Sequence, residues 1–193
     1  MRRLGYRRDR TRIGPDRLRE VEAALVEAAA LIELKGSALV LDASVDPAGD
    51  IALATGEALR SAGLARMLSG SDRVLLMGAT AGPGIVEEIR SDTLSGNLTR
   101  AVVLDAVASE MTDCALDWIS AHVSRQMRRE GLELTPARFS AGYGDFGLEN
   151  QKIMHELLHL RDIGVEITEA FLLVPEKSVT AVAGLRKREG RRT

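Results

Sequence analysis

Residues 134–160 read LTPARFSAGYGDFGLENQKIMHELLHL, and residues 161–185 continue RDIGVEITEAFLLVPEKSVTAVAGL. Arg138, three intervening residues and then Gly142-Tyr143-Gly144-Asp145 predict a polar loop. A helix follows, and the segment closes in two strands flanking the Pro175-Glu176-Lys177-Ser178 turn. Loops held by such scaffolding carry function more often than packing. An arginine fork grips a carboxylate through two charge-assisted hydrogen bonds, the geometry that an amino-acid moiety asks for. Gly142 and Gly144 let backbone pass close to a ligand, and Tyr143 offers a ring face or a hydroxyl. Spacing alone suits a structural arginine with turn glycines equally well.

Working outward, the chain of 193 residues, 45% of them hydrophobic, is long enough for one proper core and short for two. The expected division is a basic segment 1–14, one domain over 15–185 and a basic tail 186–193. A formal net charge of -2 makes no demand for nucleic acid or a membrane surface, and neither is expected as a partner. Arg2, Arg3, Arg7, Arg8, Arg10 and Arg12 crowd the start, and Arg186, Lys187, Arg188, Arg191 and Arg192 the end. Such termini are usually solvated. One cysteine, Cys114, rules out a disulfide framework within the chain and fits a reducing cytoplasm. No run approaches the ~18 apolar residues of a membrane span.

Upstream, Gly14-Pro15-Asp16 opens a helix whose core stripe is Leu18, Val21, Leu25, Ala28 and Ile32, with Gly36 expected as its C′ glycine. Ala38–Leu41 and Arg73–Gly78 read as buried strands, and Ile51–Thr55 as a weaker one. Leu59–Leu68 reads as a short helix. Ala79-Thr80-Ala81-Gly82-Pro83-Gly84 lies between strand and helix, where glycine N–H groups can hold phosphate, but the spacing of a nucleotide loop is missing. The glycines are read instead as a sharp turn into a helix carrying Ile85, Val86, Ile89 and Leu94. A long helix then spans about 98–128, with Ala101, Leu104, Ala108, Met111, Ala115, Trp118, His122 and Val123 on one face and Trp118 supplying bulk to the contact. Asp105, Glu110, Asp113 and Asp117 lie on or beside its flanks. His155 and His159 fall four apart, a spacing that can bind metal. Without a third ligand they are read as a solvated or partner-facing pair, and no metal site is expected. Strands and helices without regular βαβ alternation argue for an α+β domain.

R-F-S-A-G-Y-G-D at 138–145, Leu148, Gln151 and Leu157-Leu158, then G-V-E-I-T-E-A-F-L-L-V-P-E-K-S-V-T-A at 164–181, together resemble the activation domain of cobalamin-dependent methionine synthase. The likeness is to the short, free-standing members of that family. It is densest over 138–182 and looser at R-R-L-G-Y near the start, M-G-A-T-A-G-P-G at 77–84 and A-V-V-L-D-A-V-A-S at 101–109.

The resemblance implies a C-shaped α+β domain on a twisted, mainly antiparallel sheet flanked by helices. It also implies binding of S-adenosylmethionine, and reactivation of a partner whose cobalamin has been oxidised. The partner would be a cobalamin-dependent methionine synthase or corrinoid protein lacking its own activation domain. A flavodoxin-type reductant supplies the electron, and the methyl of S-adenosylmethionine traps the reduced cobalamin. The domain's task is positioning, with no catalytic residue of its own. By position, Arg138 grips the ligand carboxylate and Ala141, Gly142 and Tyr143 line it. Glu169 either lies near the ligand or anchors its strand, and Pro175, Lys177 and Ser178 shape a turn. Ala141 and Gly147 stand where the family usually has proline, and no counterpart is found of the acidic residue that the family brings to the adenosine from its N-terminal part. A non-catalytic module that senses S-adenosylmethionine or docks on a corrinoid protein is the alternative reading.

Overall fold

The centre of the domain is set by Arg73–Thr80 (β4), in which every residue after Arg73 is buried. A strand buried on both faces must be covered on both, and the two covers define the architecture. The computed structural model describes Arg12 and residues 14–188. In chain order the elements are α1 (Pro15–Leu31), β1 (Lys35–Val45), β2 (Asp50–Leu53), β3 (Ala58–Arg60), α2 (Ala62–Met67), β4, α3 (Pro83–Ser95), α4 (Leu98–Met127), β5 (Leu132–Leu134), α5 (Asn150–Leu157), β6 (Glu166–Ile167), β7 (Leu173–Val174) and β8 (Ser178–Lys187). Short 3-10 turns occupy Arg128–Glu130 and Leu160–Ile163.

The main sheet has the order β3-β2-β1-β4-β8-β5, with each neighbouring pair antiparallel, and it curls into a half-barrel. The α+β, antiparallel class expected from the sequence is the one found. β1 does the curling: Lys35–Asp42 pair with β4, whereas Ala43–Val45 pair with β2. Side chains alternate across the sheet. Leu75, Met77, Ala79, Ala181 and Ala183 face α4 through Ala115, Leu116, Ile119 and Val123. Val74, Leu76 and Val182 face the opposite way, onto Phe146, Met154, Leu158 and Leu160. α1, α3 and α4 form a separate helical layer around Ala28, Ile85, Leu104 and Ala108, tied by Arg100, which bonds Glu27 on α1 and both Glu88 and Asp92 on α3. None of the described helices is long and apolar enough to cross a membrane.

Several expectations are corrected. Leu59–Leu68 is β3 followed by α2, because the Ser61 hydroxyl caps the Leu64 N–H at 2.9 Å and starts the helix only after it. Gly36 is no helix cap. α1 stops at Leu31, and Gly36 lies in β1, where an added Cβ would come within 3.0 Å of Ile119 Cδ1 on α4. Of the α1 stripe Val21 and Ala28 are buried as expected, but Leu18 and Leu25 are more than a third exposed and Ala24 is buried in their place. Trp118 does not fill a contact: it is 64% exposed and stacks on His122 with ring centroids 5.2 Å apart. The buried face of α4 is centred on Leu116 and Ile119, which turns Met111, Trp118 and His122 out to one flank. Gly82 behaves as expected, with φ +83 at the entry to α3 and a Cβ position 3.0 Å from that of Glu33. β8 runs past residue 185 to Lys187, and Arg186 bonds Glu133 at 3.0 Å, so the start of the basic tail is strand. Most of the basic segment 1–14, and residues 189–193, lie outside the described residues.

Candidate functional site

The Arg138 loop is laid along β8. Thr135 N–H donates to Gly184 O at 2.8 Å, and Phe139 exchanges a pair of backbone hydrogen bonds with Val182 at 2.9 and 2.8 Å. That pairing imposes strand alternation on the loop. Phe139 turns to the Phe146 side, with ring centroids 6.2 Å apart, and Arg138 turns to the α4 side.

There the guanidinium meets two carboxylates one helical turn apart. Arg138 Nη1 hydrogen-bonds the Asp117 carboxylate, and Nη2 lies 3.8 Å from Asp113 Oδ1. Asp113 and Asp117 are the lower half of a four-step row on α4 that begins with Asp105 and Ser109. The upper half holds Lys177, whose Nζ is 2.6 Å from Asp105 Oδ1 and 3.1 Å from Ser109 Oγ. One flank of α4 therefore fixes both the Arg138 loop and the Pro175–Ser178 turn. The sequence offered these acids as flank residues, but nothing in it tied Asp117 to an arginine 21 positions away.

Past Arg138 the loop closes on itself. Ala141 is buried, Gly142 at φ +90 donates its N–H to Phe146 O at 2.7 Å, and Gly144 has φ +56. A Cβ on Gly142 would come within 3.0 Å of Leu148 Cδ2, so the missing side chain makes room for Leu148. Tyr143 is pushed outward, 69% exposed. Asp145 fastens the far end, accepting from Ser61 Oγ at 2.7 Å and from Gly63 N–H at 3.0 Å. The Ser61 hydroxyl foremost, then the Gly63 N–H, holds its carboxyl below the usual carboxylate range. This anchor was not singled out from the sequence.

Arg138, Ala141, Gly142 and Tyr143 thus share one loop. Glu169 lies elsewhere, exposed in the turn between β6 and β7, where it lines a cleft of about 540 Å³ with Lys152, His159, Arg161 and Phe171. His155 and His159 are not a solvated pair: α5 ends at Leu157, between them. His155 is 3% exposed, with Nε2 2.8 Å from Val165 O, and His159 sits in the left-handed region at φ +49. Among the described residues no group of three His, Cys, Asp or Glu side chains could hold a metal.

No protein family and no curated protein matches the sequence. Among solved structures, the chain is similar to one described as the MetH reactivation domain bound to AdoHcy. The TM-score is 0.66 at 12% identity, covering 95% of this chain and 70% of that one. The chain has the fold of a methionine synthase reactivation domain.

Proposed function

We propose that this chain binds S-adenosylmethionine at the Arg138–Tyr143 loop and acts in the cytoplasm as a free-standing activation subunit. It would support reductive methylation of the cobalamin held by a partner methionine synthase or related corrinoid methyltransferase that lacks its own activation domain. The observation that carries this reading is the shared fold with a domain whose crystal structure holds AdoHcy, the molecule that remains once S-adenosylmethionine has given up its methyl group.

The local chemistry supports it. The Arg138 fork already takes carboxylates, from Asp117 and Asp113, which stand in for the carboxylate of a ligand. A zwitterionic amino-acid moiety entering between them exchanges partners without leaving a charge unpaired, its carboxylate on Arg138 and its ammonium on Asp117. Tyr143 presents an exposed ring from the same loop. Glu169 lines a separate cleft. Bound S-adenosylmethionine would supply an electrophilic methyl group to the partner's cobalamin once a flavodoxin-type donor has reduced it, with AdoHcy as the leaving product. The chain's own contribution is to hold the ligand by its amino-acid end with the methyl directed outward.

Titration calorimetry with S-adenosylmethionine tests the binding, and absence of heat with both wild type and Arg138→Ala refutes it. Adding the protein to an oxidised corrinoid partner with a flavodoxin-type reductant tests the second half, through the absorbance of methylcobalamin. One observation favours a second reading, a sensing or docking module. Arg138 must give up an internal partner to take the ligand, which couples occupancy to the position of its loop against α4. Binding without methylcobalamin formation would select that reading.

A further inference from the structure

The loop that carries Arg138 and Tyr143 is fastened to the sheet at two distant places. At its start the Phe139–Val182 bridge ties it to β8. At its far end Asp145 accepts from Ser61 Oγ at 2.7 Å and from Gly63 N–H at 3.0 Å, where β3 gives way to α2. In the order β3-β2-β1-β4-β8-β5, the strands β2, β1 and β4 separate those two points. The loop is therefore a strap across one face of the half-barrel, and its Phe146 is buried in one apolar cluster with Leu59, Leu64 and Val182.

The far fastening has two parts. Asn150, which is buried, accepts from Arg60 N–H through Oδ1 at 3.0 Å and donates to Gly147 O through Nδ2 at 3.0 Å. Asn150 thus fixes the end of the strap that enters α5, and Asp145 fixes the part nearest Tyr143. Between them and Arg138 the strap is folded on its own backbone: Tyr143 N–H donates to Ser140 O at 3.3 Å, Phe146 N–H to Tyr143 O at 3.0 Å and Gly142 N–H to Phe146 O at 2.7 Å. Gly63 makes room for the Asp145 fastening. It lies inside α2, where alanine is the better helix former, and a Cβ there would come 2.5 Å from Asp145 Oδ1. What glycine provides at this position is space for the carboxylate.

We propose that Asp145, received by Ser61 and Gly63, is a positioning residue of the ligand loop, holding Gly142 and Tyr143 in the place from which, with Arg138, they take S-adenosylmethionine. The inference rests on the ligand reading above and adds to it a determinant outside the loop, at the start of α2. Asp145 acts through the backbone of Gly142 and Tyr143.

Hydrogen exchange of the full chain at residues 141–147, paired with titration calorimetry using S-adenosylmethionine, is the test. Asp145→Ala removes the carboxylate. Gly63→Ala displaces it while favouring the helix, so a loss of binding in that variant does not come from a weakened α2. In both variants the amides of the strap are expected to exchange about 10-fold faster and the Kd to rise about 10-fold, with exchange in β4 unchanged. Asp145→Asn keeps an acceptor oxygen and should recover part of both effects. If Asp145→Ala fails to fold, Gly63→Ala decides. Strap exchange that stays at the wild-type rate overturns the proposal, and so does an unchanged Kd where the wild type binds. A wild type that gives no heat with S-adenosylmethionine refutes the ligand reading, and the exchange rates then decide by themselves whether Asp145 positions the loop.

Discussion

The two flanks of α4 are built from opposite materials. One carries Asp105, Ser109, Asp113 and Asp117, and its charges are met within the chain by Lys177 and Arg138. The other carries Met111, Trp118 and His122, where Trp118 stacks on His122 and His122 Nε2 lies 3.2 Å from Gln126 Nε2. The acidic flank organises groups the domain has itself folded into place, so its chemistry is turned inward. The aromatic flank has apolar area left exposed, with nothing among the described residues to bury it against. One helix can carry two such different flanks because only Ile119, Leu116 and their neighbours are committed to the sheet.

The largest effect that tests this division is expected at Arg138. Arg138→Ala removes hydrogen bonds to a charged group, worth ~1.5–3 kcal/mol, and should raise the calorimetric Kd for S-adenosylmethionine about 10- to 100-fold. Binding of methylthioadenosine, which lacks the amino-acid end, should be unchanged. Next comes Trp118→Ala, which removes an exposed ring on the opposite flank and should leave the ligand titration within about 2-fold of wild type. An effect of Trp118→Ala on ligand binding would show that the flanks are not separate. Lys177→Met keeps the apolar stem and removes the charge at the upper end of the acidic row. With Asp105 half exposed, the expected loss is about 0.5–1 kcal/mol in urea unfolding. The smallest effect concerns pH. The carboxyl of Asp145 is depressed in the folded state, so its contribution is present above the unfolded value of ~3.9 and is lost as pH falls through the lower folded value. Asp145→Asn should flatten that acid side of the thermal-melt profile.

Much of the fold was legible because its helices are periodic and its central strands are continuous apolar runs. α1, α3 and α4 follow from three- and four-residue spacing, and β4 from Val74-Leu75-Leu76-Met77. The errors have specific causes. Trp118 shares a helical stripe with Ala115 by spacing, but which edge of that stripe meets the sheet is decided by Gly36 of β1, a residue that local pattern assigned to a helix end. His155 looked solvated beside His159 because sequence does not reveal that the chain reverses at Gly164 and brings Val165 O to its ring. At the candidate site the loop and its arginine were visible, and the acids were visible as flank residues. Their meeting was not, since only the pairing of Phe139 with Val182 turns Arg138 toward Asp117.

That pairing has a consequence for how such a chain can change over time. Surface loops ordinarily absorb insertions and deletions with little penalty. The stretch Thr135–Ala137 can do the same, because between the Leu134–Leu185 and Phe139–Val182 pairs it already carries two residues more than β8; the Arg138-Phe139 step cannot, because a shift of one residue at the bridge exchanges inside for outside. It would drive the Arg138 guanidinium among Phe146, Leu76 and Val182 and leave the Phe139 ring beside Asp113 and Asp117. Lineages retaining this arrangement should therefore vary in residue type and length at Thr135–Ala137 yet keep the arginine directly before the residue that pairs with Val182, so that adjacency is the inherited quantity.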